Sequence, residues 1–174
     1  MSKEEWIDSN TIYEGTIISV RTGQVRLDDG LIATREVVDH PGGVGVLPIL
    51  GDRAVLVKQY RIAVEDYVLE MPAGRLEPND SPESRARAEL VEEAGFRAGR
   101  LEKIAACYCS PGFTNELDHL FLAYDLEKVE AQPEAEERIE LVEVTADDAA
   151  AMLSTFEICD AKTVIALREW LIRR

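Results

Sequence analysis

The sequence has few aromatic residues, no excess of positive charge and no long apolar run. Aromatic residues make up 6% of the 174 positions, so aliphatic side chains must fill most of any core. Lys and Arg number 19 against 34 Asp and Glu, and the formal net charge is −15. Such a surface repels the phosphate backbone of nucleic acids, which argues against a general DNA- or RNA-binding protein. The longest uncharged apolar stretch, Val44 to Leu50, is too short to cross a bilayer, so no membrane partner is expected.

Cysteine is also scarce. Cys107, Cys109 and Cys159 are an odd number and include no Cys-x-x-Cys pair. Cys107 and Cys109 stand two apart in an apolar run, so on a strand they would share a face. We interpret all three as small buried hydrophobic residues in a reducing cytosol, in preference to zinc ligands or redox-active thiols. The polar, acidic first ten residues do not resemble a signal peptide, and we expect a cytoplasmic protein.

A chain of this length fits one domain with at most a short accessory subdomain. Two β-rich runs, 15–27 and 31–38, flank Asp28-Asp29-Gly30, and this turn signal predicts a hairpin. The break at His40-Pro41-Gly42-Gly43 predicts a subdomain boundary. Further strands are predicted at 44–50, 54–60, 67–71, 102–109, 117–124 and 139–144, and helices at 146–153 and about 160–172. Strands in the middle of the chain with helices around them predict an α+β fold or an α/β/α sandwich.

The strongest predicted helix begins at Ser81, a good N-cap, and stops at Gly95. Glu89, Glu92 and Glu93 stand at i, i+3 and i+4, so their carboxylates lie on one face. A glutamate-rich helix alone is most often a solvated face, but here a glycine-bearing loop leads directly into the helix and can fold over the carboxylates. Oxygen ligands grouped in this way suit Mg²⁺ or Mn²⁺, and Mg²⁺ also accepts substrate phosphate oxygens. The pattern therefore predicts metal-assisted hydrolysis of a pyrophosphate.

The segment GRLEPNDSPESRARAELVEEAGF, residues 74–96, resembles the box of the Nudix hydrolase family, G-x5-E-x7-R-E-U-x-E-E-x-G-U, in which U is a bulky aliphatic residue. Phe96 fills the last hydrophobic position, and the outright matches are Gly74, Glu89, Leu90, Glu92, Glu93 and Gly95. The sequence departs from the box at two positions, where Asp80 replaces glutamate and Ala88 replaces an arginine that in the family pairs with the carboxylates. The resemblance implies a Nudix α/β/α sandwich, residues 41–174, after an N-terminal β-rich extension, residues 1–40.

Other segments resemble bacterial ADP-ribose pyrophosphatases of the same family: residues 35–42 (REVVDHPG), 59–61 (QYR), 69–74 (LEMPAG) and 110–116 (SPGFTNE). In that subfamily a proline beyond the box marks the ADP-ribose class, and Pro111 holds this position. The resemblance implies hydrolysis of ADP-ribose to AMP and ribose 5-phosphate, with Mg²⁺ or Mn²⁺ as cofactor. It also implies a homodimer whose N-terminal extensions are exchanged.

The resemblance assigns the metal ligands and the catalytic base. Glu89, Glu92 and Glu93 correspond to the metal ligands, together with the carbonyl of Ala73, and Glu93 is thereby counted among the catalytic residues. The acidic loop from Pro133 to Glu140 corresponds to the loop that supplies the base. Alignment on Ile139 makes Glu137 the base, with Glu136 as second choice.

The substrate contacts are assigned in the same way. Arg61 corresponds to an arginine that contacts the substrate phosphates. Arg35 and Glu36 correspond to residues at the adenosine end, contributed across the dimer. Trp6 is a candidate to stack on the base. Pro111-Gly112 is expected in a substrate loop, although such a dipeptide alone more often means only a tight turn.

Two alternatives stay open. One is a broader nucleoside diphosphate sugar hydrolase, acting for example on GDP-mannose. The other is a catalytically silent Nudix domain that senses a nucleotide, which Ala88 favours and the retained box glutamates oppose. If the site is active, Arg85 is the in-helix candidate to replace the missing arginine, because it lies one turn before Glu89, whereas Arg87 points away.

Overall fold

The computed structural model describes residues 3–133 and 138–174, which form two compact units. The first comprises the described residues up to Gly42 together with Tyr108–Leu117, and the second comprises Gly43–Cys107 and Asp118–Arg174.

The first unit is built on an antiparallel sheet of four strands, β1 (Glu5–Trp6), β2 (Asn10–Glu14), β3 (Ser19–Arg26) and β4 (Ile32–Asp39). β3 pairs with each of the other three strands. The β3–β4 pairing runs in register from Ser19 opposite Asp39 to Arg26 opposite Ile32, which confirms the predicted hairpin.

The second unit contains a seven-stranded sheet. Its strands are β5 (Gly43–Leu50), β6 (Arg53–Arg61), β7 (Asp66–Glu70), β8 (Ala73–Arg75), β9 (Phe96–Tyr108), β10 (Leu117–Lys128) and β11 (Glu140–Thr145). The main path is β11-β6-β5-β10-β9, while β7 pairs with β6 and β8 pairs with β5. β5 and β10 are parallel, and this pairing places β5 in the middle of the sheet.

Helices cover both faces of this sheet. α1 (Pro82–Ala94) packs on one face, where Val44 and Val46 of β5 share a core with Leu90. α2 (Ala146–Ser154) and α3 (Ala161–Ile172) pack on the other, where Leu47 joins Trp170 in a second core. Even and odd positions of β5 face opposite cores because successive side chains of a strand point to opposite sides. The α/β/α sandwich predicted from the sequence is therefore confirmed.

The prediction that all three cysteines are buried is wrong. Cys107 is half-buried, while Cys109 and Cys159 are exposed, and none of these three forms a disulfide. Cys109 lies beyond the last residue of β9, so it does not share a strand face with Cys107. Cys159 precedes α3 in an exposed loop, where its thiol donates a hydrogen bond to the carbonyl of Phe156.

Among the described residues, no helix is long and apolar enough to cross a membrane.

Candidate active site

Local sequence fixes both ends of α1. The Ser81 hydroxyl accepts a hydrogen bond from the Ser84 amide at 3.1 Å and Pro82 occupies the first turn, as expected of a helix start. Gly95 adopts a left-handed conformation (φ 67°) and its amide donates to carbonyls of the last turn. The helix bounds agree with the prediction, so the three box glutamates occupy the helical positions expected of them.

The carboxylate-bearing face of α1 is not solvated. Glu89 and Glu93 are only 3% and 6% exposed, and Glu92 is half-buried. Burying a carboxylate is costly unless hydrogen bonds or cations compensate for the lost water. The negative charges of α1 are therefore concentrated inside the fold, whereas those of a solvated helix would be in water.

The glycine of the box allows this burial. Gly74 lies in β8, opposite Val44 of β5, and a Cβ built at position 74 would overlap the carboxylate of Glu89. Only a residue without a side chain permits this close approach. The neighbouring Ala73 donates its backbone N–H to Glu93 Oε2 at 2.9 Å, so β8 contacts two of the three carboxylates.

Arg85 lies on the same face of α1. Its Nη2 contacts Glu89 Oε1 and lies 3.4 Å from Glu92 Oε2. Burial disfavours the charge of Arg85, but attraction by Glu89 and Glu92 outweighs this and raises its pKa. Arg87 instead pairs with Glu83 at 3.0 Å and donates to the Ala98 carbonyl at 2.8 Å. The predicted difference in direction between the two arginines is confirmed.

A second group of charges lies beside the first. Arg61 makes a two-pronged contact with Glu70, with Nε–Oε1 and Nη2–Oε2 distances of 2.6 and 3.2 Å, and Glu70 is 5% exposed. Burial opposes the charge of Arg61, but the hydrogen bond and attraction of Glu70, with weaker attraction from Glu93, raise its pKa. The candidate phosphate-binding arginine is therefore held by a buried carboxylate and lies within the field of a box glutamate.

Two further charged residues of this group, Glu70 and Lys162, are not among the predicted site residues. Lys162 Nζ lies 2.7 Å from Asp160 Oδ1 and 3.9 Å from Glu70 Oε2. Asp160 caps α3 by accepting from the Thr163 amide at 2.9 Å, and the Thr163 hydroxyl accepts from the Met71 amide at 2.7 Å. This chain of contacts ties α3 to the segment that leads into Ala73. A signal was present in the sequence, since a glutamate inside the apolar run LEMPAG requires a buried partner.

Two clefts lie beside these charges. One has a volume of about 510 Å³ and is lined by Lys58, Tyr67, Glu93, Ala131, Pro133, Arg138, Ile139, Glu140 and Leu141. The other, of about 630 Å³, includes Arg61, Glu70, Phe156 and Asp160 in its walls. Tyr67 lines both, so the surface around the box glutamate and the surface around Arg61 share one aromatic residue. Volumes of several hundred cubic ångströms suit a small organic ligand.

The two candidate bases, Glu136 and Glu137, lie outside the described residues. The residues on either side of that gap are described. Pro133 and Arg138 both line the cleft that contains Glu93.

The candidate contacts to the adenosine end all belong to the first unit. Arg35 and Glu36 are neighbours on β4, where Arg35 holds Glu4 with contacts of 2.5 and 2.9 Å. Trp6 on β1 is 40% exposed, and the Arg21 guanidinium lies over its ring, 4.9 Å from the centroid. Arg21 therefore covers one face of the indole.

The Pro111-Gly112 loop belongs to the first unit and docks on β4. The Val38 amide donates to the Phe113 carbonyl at 2.7 Å, and Val38 bridges to Thr114. Pro111 and Gly112 are exposed and line a small cleft of about 300 Å³ together with Val37. The loop thus lies beside the strand that carries Arg35 and Glu36.

The residues of α1 and β8 fit a divalent cation. The donors are carboxylate oxygens, which Mg²⁺ and Mn²⁺ prefer. Gly74 provides the space in which a buried carboxylate lies against a strand. On this face of α1, three glutamates against the single charge of Arg85 give an excess of negative charge, as a cation site requires.

Comparisons with known proteins identify the family to which the chain is similar. The NUDIX domain family model matches residues 39–167. An ADP-ribose pyrophosphatase from Bacillus subtilis is 40% identical over 95% of this chain and 91% of its own length. A methanol dehydrogenase activator from Bacillus methanolicus is 36% identical over the same shares, and a GDP-mannose pyrophosphatase from Citrobacter koseri is 37% identical over 76% of this chain and 75% of its own.

The crystal structure of an ADP compounds hydrolase superposes with a TM-score of 0.85, at 22% identity, covering 97% of this chain and 94% of that one. This likeness supports the fold. The family model, which matches more than half of the chain, and the relative that is 40% identical over 95% of it lead to one conclusion: the chain belongs to the NUDIX domain family.

Proposed function

We propose that this protein hydrolyses the diphosphate linkage of ADP-ribose, adding one water and releasing AMP and ribose 5-phosphate. The observation that carries the proposal is the buried carboxylate face of α1, held against Ala73 and Gly74 beside a cleft of ligand size. The relative named as an ADP-ribose pyrophosphatase, which aligns over nearly the whole chain, supports the choice of substrate.

Glu89, Glu92 and Glu93 would hold the cation, with the Ala73 carbonyl as a further ligand, and the donor set favours Mg²⁺ or Mn²⁺. When bound, the cation neutralises diphosphate charge and polarises the phosphorus–oxygen bonds. Arg61 would hold a phosphate oxygen, which its position in the field of Glu93 supports. Its guanidinium is already oriented by Glu70, so little conformational freedom is lost on binding.

Glu137 would act as the general base, taking a proton from the attacking water, with Glu136 as the second candidate. This assignment is supported by the residues that flank the pair in sequence, since Pro133 and Arg138 line the same cleft as Glu93. The oxygen of water would bond to phosphorus while the bridging phosphorus–oxygen bond breaks.

The N-terminal extension, residues 1–40, would serve dimerisation and recognition of the adenosine end. Arg35, Glu36, Trp6, Pro111 and Gly112 are the candidate contacts. Their grouping around β4 and β1 supports a common role, and Trp6, which is 40% exposed, offers a surface for stacking. We further propose a homodimer and, given the net charge of −15, no nucleic-acid partner.

The experiment is a substrate panel with Mg²⁺, in which ADP-ribose, GDP-mannose and related nucleoside diphosphate sugars are incubated with the enzyme and the products separated by chromatography. We expect AMP and ribose 5-phosphate from ADP-ribose at the highest kcat/KM. A preference for GDP-mannose would favour the substrate named for the Citrobacter koseri relative. Tight ADP-ribose binding without turnover would overturn the proposal in favour of a nucleotide sensor.

A further inference from the structure

We propose that Arg85 is the residue that positions the carboxylates of Glu89 and Glu92 for the divalent cation, in place of the box arginine that Ala88 replaces. The inference rests on the proposed function only in requiring that the box glutamates bind a cation. Arg85 is a positioning residue, since it acts through the two glutamates.

Both contacts come from one guanidinium nitrogen, Nη2. Arg85 Nη2 touches Glu89 Oε1 one turn further along α1 and lies 3.4 Å from Glu92 Oε2 almost two turns along. The side chain of Glu89 is 4% exposed and that of Arg85 is 20% exposed. A cation and a carboxylate that both lie out of water interact far more strongly than a surface pair.

The Nε of Arg85 indicates which contacts hold the side chain in place. Within the described part of the chain, its Nε is buried and has no hydrogen-bond partner. A buried donor without an acceptor is unfavourable, so contacts of the same guanidinium must offset that cost. The contacts with Glu89 and Glu92 do so, and they determine where the guanidinium lies.

Position 88 carries alanine, whose side chain has no charge and cannot pair with a carboxylate, so another residue must supply the arginine contact. An arginine at position 88 would stand one turn before Glu92 and reach it as an i, i+4 neighbour, which alanine does not. Arg85 instead stands one turn before Glu89 and reaches both carboxylates. Arginine before glutamate is the weaker order in an isolated helix, so the strength here comes from burial.

Two roles for Arg85 predict opposite effects on metal binding. If it were only a counter-charge, it would repel the incoming cation, and its removal would tighten metal binding. If it orients the carboxylates, its removal lets them turn away and weakens metal binding. Residues that orient metal ligands typically contribute roughly 10- to 100-fold in affinity.

The experiment titrates the full-length protein with Mn²⁺, without substrate, and follows free Mn²⁺ by electron paramagnetic resonance. We expect Arg85→Ala to raise the Mn²⁺ Kd roughly 10- to 100-fold. Arg87→Ala is the matched control, because Arg87 lies on the same helix and pairs with Glu83, away from the site; its Kd should stay within about twofold. Arg85→Lys, which keeps the charge but not the planar fork, should give an intermediate Kd.

Rescue separates orientation from folding. Adding Ala88→Arg to Arg85→Ala should recover most of the lost affinity, and melting in EDTA should show that each variant is folded. A folded Arg85→Ala or Arg85→Lys protein that binds Mn²⁺ as tightly as the wild type, or more tightly, would overturn the inference. A wild-type protein that hydrolyses no nucleotide sugar, yet loses Mn²⁺ affinity on Arg85→Ala, would sink the proposed substrate and leave the inference standing.

Discussion

The backbone N–H of Ala73 donates a 2.9 Å hydrogen bond to Glu93 Oε2, which joins the last carboxylate of α1 to strand β8. A carboxylate that accepts a backbone hydrogen bond is fixed in orientation before any ligand arrives. This contact also makes it possible to separate the charge of Glu93 from its structural role.

Glu93→Gln keeps an oxygen that can accept from Ala73 and removes only the negative charge. If Glu93 holds the cation, we expect kcat/KM for the preferred substrate to fall on the order of 10²–10³-fold, with little change in melting temperature. The matched control is Glu83→Gln on the same helix, where the carboxylate is exposed and pairs with Arg87. Near-normal turnover of Glu93→Gln would refute the assignment of the box as a metal cradle.

The loop base gives a prediction of a different kind. If Glu137 takes the proton from water, Glu137→Gln should lower kcat far more than it changes KM, since the base acts in the transition state. Glu136→Gln and Glu134→Gln should have milder effects, measured in the same steady-state assay. If Glu136 alone proved essential, the alignment on Ile139 would be shifted by one residue.

Much of this site could be predicted because its signals are local. The Ser81 cap, the Gly95 stop and the spacing of the glutamates lie within one helix, and helical angles alone distinguished Arg85 from Arg87. The local sequence pattern does not predict an element whose formation depends on tertiary pairing. β8 spans only three residues and exists because it pairs with β5.

The same limit applies to strand bounds and to buried charges. β9 begins at Phe96, before the predicted start at 102, through a stretch whose charged and glycine residues mask the strand pattern. The contact of Glu70 with Lys162 joins residues that are distant in sequence, so no periodicity reveals it. The exposure of Cys109 and Cys159 likewise depends on where their strand or loop ends in the fold.

The pairing of Arg61 with Glu70 predicts a stability coupling. Among the residues that the structure describes, Arg61→Met leaves the buried Glu70 with Lys162, at 3.9 Å, as its cationic partner. The side chain of Arg61 is 41% exposed, so solvent screens part of the loss, and we expect about 2 kcal/mol of destabilisation. In Arg61→Met/Glu70→Gln the unpaired charge is gone, and the double variant should unfold at higher denaturant than Arg61→Met. If the free energy of unfolding lost by the double variant in urea equalled the sum of the losses of Arg61→Met and Glu70→Gln alone, the two side chains would not be coupled.

The contact between Asp160 and Lys162 predicts how stability depends on pH. Burial alone would raise the pKa of Asp160, but attraction by Lys162 and hydrogen bonds from Lys162 and Thr163 outweigh it, so its pKa lies below the ordinary 3.8. The unfolded chain therefore binds a proton at a higher pH than the folded chain does. The stabilisation is present above the unfolded pKa and is lost as pH falls from there through the lowered folded value. Lys162 has the opposite sign: its pKa is raised above 10.5, so its contribution persists until the pH rises through that raised value.

Asp160→Asn tests this dependence, because asparagine still caps α3 but carries no charge. We expect it to lose about 1–2 kcal/mol in free energy of unfolding near neutral pH. The difference from wild type should stay constant down to about pH 5 and then shrink as acid protonates Asp160. Asp147→Asn, at an exposed position in the first turn of α2, is the control and should show no comparable trend. Denaturant titrations across this range measure both variants, and a difference that does not shrink in acid would mean that the charge of Asp160 contributes nothing beyond its cap.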